Sequence, residues 1–74
     1  MKLLELQEHA KSNGFDSLEF EFVNLLGETV KGKWLDAYFG FFRLDGMEEN
    51  EMISVTSFLD LIGDIFNFTP YGAQ

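Results

Sequence analysis

The stretch GKWLDAYFGFFRL (Gly32–Leu44) crowds Trp34, Tyr38, Phe39, Phe41 and Phe42 into thirteen positions. Read as one strand, its alternation places Trp34, Tyr38 and Phe42 on one face and Leu35, Ala37, Phe39 and Phe41 on the other. Apolarity on both faces belongs to a strand covered twice, or to one with a core face and a second face kept for a partner. A 74-residue chain has few helical turns to offer as a second cover. A break is expected at Asp36–Ala37, as a turn or a bulge, because the preceding strand has no more residues to pair with there. The third strand then covers Tyr38–Asp45.

Working back from Gly32, SLEFEFVN (17–24) alternates cleanly, with Leu18, Phe20 and Phe22 facing one way and Glu19 and Glu21 the other. Leu25-Leu26-Gly27 suits a three-residue hairpin loop with Gly27 at positive φ. That loop length pairs Phe22 with Val30 and Leu18 with Trp34 on the core face. It sets Glu21 across from Lys31, and Glu19 across from Lys33, on the outer face. Upstream, residues 2–13 read as a helix with Leu3, Leu6 and Ala10 on one stripe and Leu4 beside them. Gly14 is expected in the left-handed position after it, with Phe15 folding back on the last turn.

Downstream, 46–50 is an exposed loop, and Met52–Val55 is a short fourth strand or the opening of the next helix. Ser57 with Asp60 matches a capping box. Phe58, Leu59, Leu61, Ile62, Ile65 and Phe66 would be that helix's buried face, with Gly63 marking close packing. Pro70 disfavours continuation past Thr69, so 66–74 reads as a tail. The expected fold is a single α+β domain over 1–74: a small two-layer domain of helix, antiparallel β-meander of three to four strands, and helix, with the helices on one sheet face.

Nine phenylalanines and 46% hydrophobic residues provide a core for so short a chain. Cysteine is absent, which removes disulfides, iron–sulfur clusters and thiolate zinc sites. Glu5, Glu8 and His9 interrupt any leader-like apolar run near the start, so no signal peptide is expected, and no stretch approaches a membrane span. The reading is a cytoplasmic protein.

Catalysis is not expected. The sole histidine, His9, lies on a helix and reads as solvated, and no Gly-x-Ser-x-Gly elbow presents a nucleophile. Carboxylates are plentiful, but a domain this small has little cleft for a sugar. Asp45, Glu48, Glu49 and Glu51 lack the staggered spacing of an EF-hand loop, and scattered glycines make no phosphate cradle. No cofactor and no metal are expected.

Charge placement is more informative. The net charge is −8, which disfavours direct contact with nucleic acid or an anionic membrane. Residues 1–35 carry six acids and four bases, whereas 36–74 carry seven acids against Arg43 alone. Four of those acids fall within Asp45–Glu51, and Asp60 and Asp64 stand at i, i+4 on the second helix, a repulsive spacing. Solubility does not require such clustering. Asp45, Glu48, Glu49, Glu51, Asp60 and Asp64 are therefore the candidate surface for a basic, nucleic-acid-binding protein. A four-residue helical step of about 6 Å against phosphates about 3.4 Å apart allows carboxylates to stand in for several phosphates. Small, acidic, cysteine-free α+β proteins of phages and mobile elements work this way as anti-CRISPR, antirestriction and DNA-repair inhibitors. The likeness is one of class, without a shared motif. An immunity protein that neutralises a nuclease toxin meets the same criteria. The competing class is a structural or assembly protein that binds through Leu35, Phe39, Phe41 and Tyr71, or pairs an open sheet edge with a second copy as a homodimer.

Overall fold

The computed structural model describes residues 1–15, 17–62 and 64–71. Its elements in order are α1 (Leu3–Asn13), β1 (Glu19–Val23), β2 (Thr29–Asp36), β3 (Phe41–Leu44), β4 (Ile53–Ser54), α2 (Val55–Ile62) and β5 (Phe68–Tyr71). The five strands form one antiparallel sheet in the order β4-β3-β2-β1-β5. The α+β arrangement of helix, antiparallel strands and helix is as the sequence predicts.

The β1–β2 hairpin has the expected register: Glu19 faces Lys33, Glu21 faces Lys31, and Phe22 faces Val30. Gly27 takes φ +80°, and its N–H donates to the Asn24 carbonyl. Asn24 does more than the sequence suggested. Its side-chain oxygen accepts from the N–H groups of Leu26 and Glu28, so an Asx turn holds the loop.

The break at Asp36 is both a bulge and a turn. Trp34 pairs with Phe42 and Asp36 with Phe41, so β2 carries one extra residue between them. The 37–40 turn follows, closed by the Gly40 N–H on the Asp36 carbonyl and the Phe39 N–H on Asp36 Oδ1. Two expectations fail here. The third strand begins at Phe41 and ends at Leu44, shorter than Tyr38–Asp45. The two-sided alternation is also broken: Ala37 is buried in the same core as Trp34, while Tyr38 and Phe39 are exposed in the turn.

The second helix differs as well. It starts at Val55, whose N–H donates to the Gly40 carbonyl, so Ser57 is inside the helix and does not cap it. Val55 and Phe58 are buried and Leu59 and Ile62 partly so, but Leu61 is 83% exposed and Ile65 lies beyond the helix end. Gly63 lies outside the described residues. At the first helix, Gly14 has positive φ (94°) with an extended ψ (135°), and Phe15 is exposed. Ser17 instead closes that end, its Oγ donating to the Asn13 carbonyl.

The largest departure is β5. Phe68–Tyr71, read as part of a tail, pairs with β1. Proline is tolerated because this is an edge strand. Phe68 exchanges backbone hydrogen bonds with Met1 on the side away from β1, and Pro70, two residues on, points its missing N–H the same way. Phe20 lies at the centre of the aromatic core, with ring centroids 5.6–5.9 Å from Trp34, Phe42 and Phe68. Leu3, Leu6 and Ala10 of α1 and Val55 and Phe58 of α2 join the same cluster, so both helices cover one sheet face.

Candidate functional site

The other sheet face carries the polar halves of the strands: Glu19, Glu21, Thr69, Tyr71, Lys31, Lys33, Arg43 and, just past β3, Asp45. The acidic loop leaves this face at the end of β3. Asp45, Glu48, Glu49 and Glu51 are all exposed. Their backbone is nonetheless held in place. Arg43 donates from Nε to the Glu51 carbonyl (3.1 Å) and from its guanidinium to the Glu49 carbonyl. The Asp45 N–H donates to the Lys31 carbonyl, the Met47 N–H to the Leu44 carbonyl, and the Glu51 N–H to the Glu48 carbonyl. The Glu48 N–H in turn donates to the Glu51 carboxylate (2.9 Å).

Arg43 is the single base against seven acids in residues 36–74. These two hydrogen bonds go to main-chain carbonyls. Among the described residues the one ion pair is Lys11–Glu8, at 3.2 Å on α1. The loop carboxylates are therefore exposed on an ordered scaffold without a paired cation, that of Glu51 accepting from the Glu48 N–H.

The remaining candidates lie elsewhere. Asp60 is exposed on α2, in the helix layer. Asp64 lies past the end of α2, so the two do not share a helix face. Asp64 Oδ1 accepts from the Leu3 N–H (3.3 Å), and its carbonyl accepts from Lys2 Nζ (2.7 Å). That places Asp64 at the start of α1, where a negative charge complements the helix dipole. Met1 borders β5, so this corner is three strands from β3, or about 14 Å at ~4.8 Å per strand. Asp64 is thus separated from the loop quartet, which leaves the sheet at β3.

The apolar candidates are also dispersed. Leu35 and Phe41 are half-buried at the β2 bulge and the start of β3, while Phe39 projects from the 37–40 turn. Tyr71 sits on β5, on the far side of β1 and β2 from Phe41. Phe39 instead stacks edge-on against Tyr38 (centroids 5.1 Å apart), the two being 70% and 62% exposed. Lys11 Nζ lies 5.6 Å from the Tyr38 ring centroid. Tyr38 was missed as a surface residue because strand alternation assigned it to the core face. The sheet edges are blunted: Met1 and Pro70 occupy that of β5, and the other edge, β4, is only two residues long.

Tyr71 lies across the outer face, with Lys31 Nζ 5.7 Å from its ring centroid. Partial burial, then the negative fields of Glu19, Asp45 and Glu21, raise its phenol above the ordinary 10.0. The unfolded chain ionises this group first. The neutral phenol's contribution is thus intact below pH 10 and is lost as pH rises through the higher folded value. Urea unfolding at about pH 9 and about pH 11 should show wild type losing more stability than Tyr71→Phe. Equal losses would mean that the phenol is not coupled to the fold.

Among the described residues, no three His, Asp or Glu side chains converge as a metal site, and no helix is long and apolar enough to cross a membrane. Comparison with protein-family models, with curated proteins and with solved structures gives no match to this chain.

Proposed function

We propose that this chain is a non-catalytic binding protein whose acidic loop, Asp45–Glu51, engages a basic protein of the nucleic-acid-binding kind and blocks it. One observation carries this reading: the lone arginine beside the loop spends hydrogen bonds on the Glu49 and Glu51 carbonyls, fixing the loop and leaving its carboxylates exposed. A fixed array of like charges loses little entropy on binding and steers a basic partner into register. Inhibitors of the anti-CRISPR or antirestriction type, and immunity proteins of nuclease toxins, share this logic.

The test is Glu48→Lys with Glu49→Lys. Both residues support the loop only through backbone atoms, so the double reversal should melt like wild type. Affinity capture from a bacterial lysate at about 50 mM salt, with duplex DNA as competitor, should retain a basic protein on wild type. The variant should retain it about tenfold less, and raising the salt to about 500 mM should narrow the gap. Equal retention by both proteins would make the loop a solvated surface.

A second reading is assembly through an apolar contact, and the exposed Tyr38–Phe39 pair favours it. Retention that ignores salt and is lost in Phe39→Ser would support that reading instead.

A further inference from the structure

A concavity lies on the outer sheet face, where the acidic loop leaves β3. It has a volume of about 240 Å³ and is lined by Lys33, Leu35, Arg43, Leu44, Asp45, Gly46 and Met47. Lys33 and Arg43 are direct cross-strand partners, a like-charge pairing that costs stability unless something anionic offsets it. The nearest carboxylate on β1 is Glu19, which stands between Lys33 and Tyr71 and has no ion pair with Lys33. Arg43 uses its Nε and one terminal nitrogen on the loop carbonyls, which leaves other N–H donors of its planar fork. Leu35 and Met47, both half-buried, supply apolar wall.

We infer that this groove binds a small amphipathic carboxylate, the C-terminal residue of a peptide with an apolar side chain. Its carboxylate lies between Lys33 and Arg43, and its side chain rests on Leu35 and Met47. Two cations with Asp45 at the rim suit a monoanion better than a phosphate dianion, because Asp45 repels the second charge. The groove shares Asp45, Gly46 and Met47 with the acidic loop, but its volume takes a single residue, so its ligand differs from the protein surface proposed for the loop carboxylates.

The test is an NMR titration of the full chain with N-acetyl-leucine, N-acetyl-leucinamide and inorganic phosphate. N-acetyl-leucine should shift the amides of 33–35 and 43–47 saturably, and Lys33→Gln should weaken it about tenfold, as expected for one charge-assisted hydrogen bond. The leucinamide should bind at least about tenfold more weakly, having no carboxylate. A free amino acid binding better than the acetylated one would reassign Asp45 as an ammonium partner and overturn the peptide-terminus identity. No saturable shift by about 20 mM, equal binding of the amide, or tighter binding of phosphate would overturn the site. Because Lys33 is exposed, Lys33→Gln should stay folded, so loss of binding is not loss of fold.

Discussion

Trp34→Ala is expected to lower the stability of the domain by about 3–5 kcal/mol at 25 °C. The indole is fully buried, 5.4 Å from Phe42 and 5.9 Å from Phe20 between ring centroids, on the strand that joins β1 to β3. Truncating a buried aromatic costs about 3–5 kcal/mol in lost transfer energy and residual cavity. A 74-residue domain at ~0.05–0.15 kcal/mol per residue has only about 4–11 kcal/mol in total. Trp34→Phe separates the two parts of the argument. The indole Nε1 is buried without a hydrogen-bond partner, so phenylalanine removes no bond and also removes an unsatisfied donor. Trp34→Phe should therefore fold, losing about 1–2 kcal/mol by urea denaturation. A Trp34→Ala protein with the urea midpoint of wild type would show that the core does not depend on this ring.

How far the fold is legible in the sequence depends on whether local pattern and tertiary pairing agree. In the β1–β2 hairpin they agree: alternating Phe and Glu, loop length and Gly27 all specify one register, and that register is present. They disagree at β5. Proline after a helix reads as a terminator, and only the sheet shows that its missing N–H faces away from β1. At α2 the Ser57–Asp60 spacing mimics a cap, but the Gly40 carbonyl, a tertiary partner, takes the first N–H at Val55. The bulge and turn after Trp34 put Ala37 in the core and Tyr38 on the surface, against the alternation, while Phe42 stays on the face of Trp34 as the alternation expects. The acidic loop is legible as exposed charge, because polar residues flanked by Gly46 and Asn50 leave little else to infer. That Arg43 binds the loop's carbonyls is not legible. A side chain reaching main-chain acceptors six and eight residues away leaves no pattern in residue types. The groove follows the plain alternation instead: Lys33 and Leu35 share a face of β2, and Arg43 is the cross-strand partner of Lys33.

Gly32→Ala is expected to cost about 1–3 kcal/mol, as overpacking does in a filled core. This glycine sits opposite Phe20 on one side and Leu44 on the other. A Cβ there would stand 2.7 Å from Phe20 Cζ and 2.9 Å from the Arg43 carbonyl oxygen, both inside contact distance. Phe20 cannot swing aside cheaply, because Trp34, Phe42 and Phe68 surround its ring. The Arg43 oxygen belongs to the neighbouring strand and can yield only if β3 shifts. The cost at Gly32 is therefore one of space, since its φ is not positive. Gly27→Ala is the opposite case: nothing lies within 4 Å, but φ is +80°, so its cost is backbone strain of about 1 kcal/mol. The two mechanisms separate in a double-mutant cycle with Phe20→Leu. Shrinking the ring should recover part of the Gly32→Ala loss, giving a favourable coupling of at least about 0.5 kcal/mol, and leave the Gly27→Ala loss unchanged. Additive losses for Phe20→Leu with Gly32→Ala would mean that the β3 carbonyl, and not the ring, sets the cost. In that case the loss should be accompanied by shifted amides at Arg43 and Leu44, and the acidic loop that Arg43 holds would loosen with it.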